Sequence, residues 1–312
     1  MNPSDYRQVH SLMQRIEEHP TKYGAWEAAL QLARIDIAPF YKEIREGLKS
    51  SDPFSRECFL EVLAENKDPE VLSELDDVFQ YGASELTQSV PSLSRLRTAS
   101  RLSKEFYEQV EKNSRKSHKR EPHDPLDLVD AIPNIIFPEE NKDYARTLIQ
   151  SLSDNPDFFR YLNKEDIAMV HAMFYSNHDD PKNREYRNIK MWDFDPSGSP
   201  VEPYGLPFVG AASLQFVMDS FVRKIRNYQP EIPDGKHPLQ FIGESYFHHN
   251  IIHPFYDCNG RTNFLLMDLF LLASNLPYIK MVDDDLPEYY QTLNLPEPTQ
   301  FVKFLGNLIQ RE

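Results

Sequence analysis

A mainly α-helical protein is what this sequence predicts, on three observations. Apolar residues recur at three- and four-residue spacing in one segment after another. Asp52-Pro53 and Asp68-Pro69 each set a capping side chain directly ahead of a proline at the first helical position. Strand-like patterning is confined to one stretch, 186–208, where two short runs flank the turn-rich Asp193-Phe-Asp-Pro-Ser-Gly-Ser-Pro200. At 312 residues, 40% hydrophobic and 27% charged, the chain can hold one large or two modest domains, each with a real core.

The elements follow in order. Residues 1 to about 113 are predicted as short helices. After Asp52, Phe54, Cys58 and Val62 fall at four-residue spacing on one face, with Phe59 and Leu63 alongside. After Asp68, Val71, Leu72, Leu75 and Phe79 repeat the pattern and Gly82 stops it; the pair faintly resembles a HEAT-type hairpin. The basic run Lys112–Arg120 and the following Glu121-Pro-His-Asp-Pro125 shift composition abruptly. A boundary is expected there: an α-helical N-terminal domain over 1–120, a linker near 112–125, and a second domain over 121–312. Helices are then predicted over 144–152 and 164–175. The second carries Ile167, Val170, His171 and Phe174 on one stripe, which makes His171 an expected core histidine. The candidate β-hairpin at 186–208 must lie on something else to be stable. Helix returns over 209–227, with Leu214, Phe216, Val217, Phe221 and Ile225 on the buried face, and again from Pro238 to about Ile252.

Bulk properties exclude some functions. A formal net charge of −15 opposes non-specific nucleic-acid binding, which needs a basic surface to release counterions. The basic run at 112–120 has no interleaved aromatic to stack a base, so a solvated linker is expected. No apolar run reaches the roughly 18 residues of a membrane span. Two cysteines, Cys58 and Cys258, cannot form a disulfide framework and suit a reducing compartment. The first residues lack a basic and an apolar leader region. A cytoplasmic location is therefore expected, with delivery into another cell left open.

The chemistry concentrates in His253-Pro-Phe-Tyr-Asp-Cys-Asn-Gly-Arg261, which runs into the apolar Phe264–Leu272. An imidazole, a carboxylate, an amide, a glycine and a guanidinium at the mouth of a buried helix form an inventory for handling phosphate. His249, His253 and Asp257 also imitate helical metal-ligand spacing. That reading needs unbroken helix from 249 to 257, which Pro254 and Asn259-Gly260 oppose. The alternative ends one helix at Pro254 and begins the next at Gly260. Cys258, Asn259 and Gly260 then present N–H groups to an anion, and Arg261 reaches a second phosphate. Asp257 can take an oxygen site on Mg²⁺ and His253 can accept a proton from a hydroxyl. A thiol beside helix N–H groups and Arg261 is expected to favour its thiolate, against the plainer reading of an inert buried cysteine.

This loop resembles the signature of the Fic (Fido-fold) family, HPFx(D/E)GNGRxxR. Ile167-Ala-Met-Val-His-Ala-Met-Phe174 is similar to the family's early core helix, Asn183-Arg-Glu-Tyr-Arg187 to its lead-in, and the hairpin to its flap. Glu288-Tyr-Tyr290 resembles a segment lining the nucleoside pocket. The resemblance covers 160–312. It implies a helical Fic core with a small β-hairpin flap that transfers AMP from ATP to a Ser, Thr or Tyr hydroxyl of a protein. His253 would be the general base and Asp257 the Mg²⁺ ligand. Cys258, Asn259, Gly260 and Arg261 would hold phosphates, Tyr289 and Tyr290 the nucleoside, and the flap (about 188–206) the protein substrate. Two departures stand out: Cys258 replaces a glycine, and Phe264 replaces the second arginine. The inhibitory signature (S/T)xxxE(G/N) is absent, Glu61-Val-Leu-Ala-Glu-Asn66 being nearest. A member without glutamate autoinhibition is therefore expected. A donor such as UTP or a CDP-linked molecule, and a non-catalytic interaction protein on the same fold, stay open as alternatives.

Overall fold

The computed structural model describes all residues except 1–2, 20, 80–87, 118–136, 156, 178–179, 187–208, 230–235, 280 and 312. Gly82, most of the expected linker and nearly the whole of the expected flap thus lie outside the described residues, which hold helices and no strand. None of the described helices is long and apolar enough to cross a membrane. The chain forms two compact units, one from 1–97 and 187–220, the other from 98–186 and 221–312.

The first unit carries α1 (Pro3–Glu18), α2 (Lys22–Leu32), α3 (Tyr41–Glu46), α4 (Pro53–Glu65), α5 (Pro69–Asp76) and α6 (Pro91–Leu96). Both aspartate–proline starts act as predicted. Asp52 accepts the Ser55 N–H at 2.7 Å, and Asp68 accepts those of Glu70 and Val71 at 2.9 and 3.2 Å. Phe54, Cys58 and Val62 are buried together on α4, which packs on α2 as α2 packs on α1. Two buried glutamates one turn apart on α4 tie down other segments of this unit. Glu57 accepts from the Ser92 N–H and hydroxyl at 2.7 and 2.8 Å, and burial pushes its carboxyl up to about 8. Glu61 accepts from the Ala212 N–H and Ser213 hydroxyl at 2.8 and 2.6 Å.

The second unit carries α7 (Lys104–Ser117), α8 (Lys142–Ser153), α9 (Phe158–Tyr161) and α10 (Lys164–Ala172). The end of α11 (Ala211–Arg226) belongs to it too, followed by α12 (Pro238–Ile252), α13 (Asn259–Ala273), α14 (Leu286–Leu293) and α15 (Thr299–Arg311). A reciprocal capping box starts α10: Asn163 accepts the Asp166 N–H and Asp166 accepts that of Asn163, both at 2.9 Å. Apolar on nearly every face, α13 must be covered on several sides, and α8, α10 and α12 pack on it. Its one buried acid, Asp268, accepts the Ile279 N–H at 2.9 Å. Burial pushes that carboxyl far up. The core helix whose start bears the residues expected to handle phosphate is thus held from several directions.

Candidate active site

The helix break expected at Pro254 is in place. α12 ends at Ile252, and His253 follows as its C-cap with φ 47° and ψ 61°, its N–H bonded to His249 O at 2.9 Å. Left-handed backbone turns the chain away from the helix axis, so His249, His253 and Asp257 do not share a helical face. His249 points instead into the core, 1% exposed, with its ring 5.7 Å from that of Phe221. Neither of its ring nitrogens has a hydrogen-bond partner among the described residues, and burial pushes its pKa down to about 3. No three His, Cys, Asp or Glu among the described residues are grouped to hold a metal.

The loop locks onto itself through Asn259. Its Oδ1 accepts the Phe255 N–H at 2.9 Å and its Nδ2 donates to Phe255 O at 2.7 Å. Asn259 is 3% exposed and spends its amide on the loop, leaving its main-chain N–H for an anion. Helix α13 begins at Asn259, one residue earlier than expected, with Cys258 as N-cap. Thr262 closes the first turn by donating its N–H to Cys258 O at 2.9 Å. The N–H groups of Asn259, Gly260 and Arg261 precede that bond and are the orphan donors of a helix start. The Cys258 N–H, by contrast, is taken by Asp257 Oδ1 at 2.6 Å. The orphan donors therefore lie at 259, 260 and 261, one residue along from the expected set of 258, 259 and 260, and 258 shapes the turn.

Cys258 adopts φ 57° and ψ 10°, backbone that glycine enters freely and cysteine only at a cost of about 1 kcal/mol. Its thiol is covered by neighbours that repay some of this: Arg261 Nη2 lies against Sγ and the Tyr175 hydroxyl bonds to it. Burial raises the Cys258 pKa, outweighing the opposing pull of Tyr175 and Arg261. The expected thiolate is thus overturned by desolvation. Native Cys258 should react with N-ethylmaleimide at neutral pH at least severalfold more slowly than a free thiol such as glutathione, as followed by peptide mapping. Faster labelling than the free thiol would show a stabilised thiolate.

Arg261 is half-buried, with its guanidinium 5.5 Å over the Phe174 ring. That stacking and the sulfur contact fix its direction, while its five N–H donors exceed what one sulfur uses. Phe264, one turn further on, sits where the family carries a second arginine. It packs at 5.4 Å against both Tyr246 and Tyr289. Tyr289 is 5% exposed, its hydroxyl bonded to that of Tyr246, so it stands as much in the core as at a pocket. Tyr290 is 43% exposed and meets the Tyr289 ring edge-on at 5.0 Å.

Asp257 is exposed. Its Oδ1 accepts the Cys258 N–H, and the Cys258 thiol also bonds to its carboxylate. A magnesium ion shared with substrate phosphates needs only one or two protein carboxylates, the rest of its shell being phosphate and water oxygens. An exposed carboxylate beside three orphan N–H groups fits that donor set.

Two contacts went unread in the sequence. His171, expected simply as a satisfied core histidine, has Nε2 2.9 Å from Asp257 O and Nδ1 2.8 Å from Asn183 O. Tyr186 stacks on Phe255 at 5.0 Å and 16°. Both sit in the segments singled out as similar to the family's core helix and lead-in, the one signal that pointed to them.

Residues 161–271 match the model of the Fic/DOC family. A protein adenylyltransferase Fic from Nematostella vectensis is 32% identical over 101 residues, 31% of this chain and 23% of the relative. One from Drosophila mojavensis is 24% identical over 154 residues, 48% of this chain and 28% of the relative. The chain thus spans about a quarter of the length of these relatives. A solved structure of Fic-1 (residues 134–508) from C. elegans aligns with a TM-score of 0.45 at 14% identity, covering 98% of this chain and 96% of that one. The loop of His253–Arg261, α12, most of α13 and the early helix around His171 all fall within the stretch that matches the Fic/DOC family model.

Proposed function

We propose that the chain is a Mg²⁺-dependent nucleotidyltransferase that moves AMP from ATP to a Ser, Thr or Tyr hydroxyl of a protein. The observation that carries this reading is the pairing of a half-buried imidazole, His253, with an unbonded helix start at 259–261 across one short, internally locked loop. The target hydroxyl oxygen attacks the α-phosphorus, its proton passes to His253, and the bond from that phosphorus to the pyrophosphate oxygen breaks. The N–H groups of Asn259, Gly260 and Arg261 and the dipole of α13 stabilise charge on the α-phosphate. Arg261 faces the departing pyrophosphate. Asp257 would hold the Mg²⁺, which when bound offsets the negative charge of the phosphates. Tyr290 offers an exposed ring for the base, and target docking by strand addition is assigned to 188–206 from sequence pattern. The adenylyltransferase names of the relatives favour AMP over the other nucleotides.

Autoinhibition by an intramolecular glutamate–arginine pair lacks its arginine here, since the apolar Phe264 stands in that place, and the inhibitory signature is absent from the sequence. Wild-type protein incubated with Mg²⁺ and each of ATP, GTP, CTP and UTP in turn is therefore expected to modify itself without any activating substitution. Intact-mass and peptide mass spectrometry would show an added nucleoside monophosphate on Ser, Thr or Tyr, most abundant with ATP. No adduct with any donor, on itself or in a lysate, would sink the reading.

A further inference from the structure

The His253–Arg261 loop is bonded internally and to the helices it joins. A different tie comes from α10. His171 is 3% exposed, and its ring lies flat on that of Phe255, with centroids 3.7 Å apart and planes 9° from parallel. One nitrogen meets the Asp257 carbonyl and the other the Asn183 carbonyl. Tyr175, one turn on, stands 3.4 Å from the same Nε2 and also bonds Cys258. Phe255 in turn stacks on Tyr186, whose hydroxyl donates to Lys164 O at the start of α10. The contacts converge on the two residues flanking Tyr256, the segment that sets where the Asp257 carboxylate points and how the chain enters α13.

We propose that His171 is a positioning residue for the transfer reaction, clamping residues 255–257 so that Asp257, His253 and the α13 N-terminus hold one geometry. The proposal rests on the reaction given above. The imidazole supplies two separable things, a flat ring against Phe255 and an N–H for one of the two main-chain carbonyls it meets. A buried ring that only fills space needs the first alone; a clamp needs the second, because stacked rings slide more easily than a directed hydrogen bond bends. Small misplacement of reacting groups is costly in rate even where binding survives.

His171→Phe keeps a stacking ring and removes both nitrogens, whereas His171→Gln removes the ring and keeps an amide able to donate to the Asp257 carbonyl. For His171→Phe the expected result is amide hydrogen exchange at least tenfold faster over 255–258 and a Tm within a few degrees of wild type. Its kcat should fall at least tenfold while KM for nucleotide changes less than threefold. His171→Gln should recover most of the kcat and the exchange protection. Unchanged exchange over 255–258 in His171→Phe, or acceleration spread equally through α10 and α12, overturns the proposal, as does a wild-type kcat in that variant. A wild type that transfers no nucleotide removes the underlying reaction, and the exchange experiment then decides the clamp by itself.

Discussion

His253→Ala is expected to lower kcat by about 10²–10⁴-fold, the usual contribution of a positioned general base, with Mg-nucleotide affinity changed less than threefold. The second half of that expectation follows from the division of labour across the loop. Anion binding falls to the N–H groups of 259–261, and His253 lies at the other end, beyond Pro254. Its backbone supplies a control. At φ 47° both histidine and alanine carry the cost of left-handed backbone, which glycine avoids, by about 1 kcal/mol. His253→Gly should therefore be at least as stable as His253→Ala while lacking the same base. If lost turnover reflects a damaged loop, the glycine variant should be the better enzyme; if it reflects a missing base, both should be equally inactive. Single-turnover transfer, with nucleotide binding followed by calorimetry, separates these. Turnover within threefold of wild type in either variant would remove His253 from the chemistry.

What could be read from residues alone was whatever local physics decides. Helices starting at Pro53, Pro69 and Pro238 were legible because a capping side chain and a ring-locked φ act within one turn. The end of α12 was legible because Pro254 restrains its predecessor, and the same break opposes a shared helical face for His249, His253 and Asp257. Features set by neighbours distant in sequence were not legible. Cys258 is sheltered by Tyr175 and by the rest of its surroundings, so burial reverses the direction that Arg261 alone suggests. Tyr289 turns into an aromatic cluster with Tyr246 and Phe264, which its place in a Glu-Tyr-Tyr segment did not foretell. His171 reads as core by its stripe and is core by burial, yet its nitrogens meet carbonyls 12 and 86 positions away. Grouping of 187–220 with 1–97 likewise depends on contacts such as Glu61 with Ala212, which no composition shift marks.

Gly260→Ala separates a glycine kept for the fold from one kept for a ligand. Its backbone φ is not in the left-handed region, and a Cβ built there meets no heavy atom within 4 Å. The folded chain therefore has no steric need for glycine, and alanine in a helix is worth up to about 1 kcal/mol more. Stability should be unchanged or slightly raised. Binding should not be. A helical Cα–Cβ bond tilts toward the helix N-terminus, so the new methyl leans over the edge where the N–H groups of 259–261 await an acceptor. A phosphate seated there would have to move outward, and N–H···O bonds weaken steeply beyond about 3.2 Å. At least a tenfold rise in Kd for Mg-ATP is expected, together with a comparable loss of kcat/KM and an unaltered or higher Tm. Calorimetric titration beside a thermal melt checks both at once. Undiminished Mg-ATP affinity in a well-folded Gly260→Ala protein would mean that phosphate is bound elsewhere, and would take the α13 N-terminus out of the site.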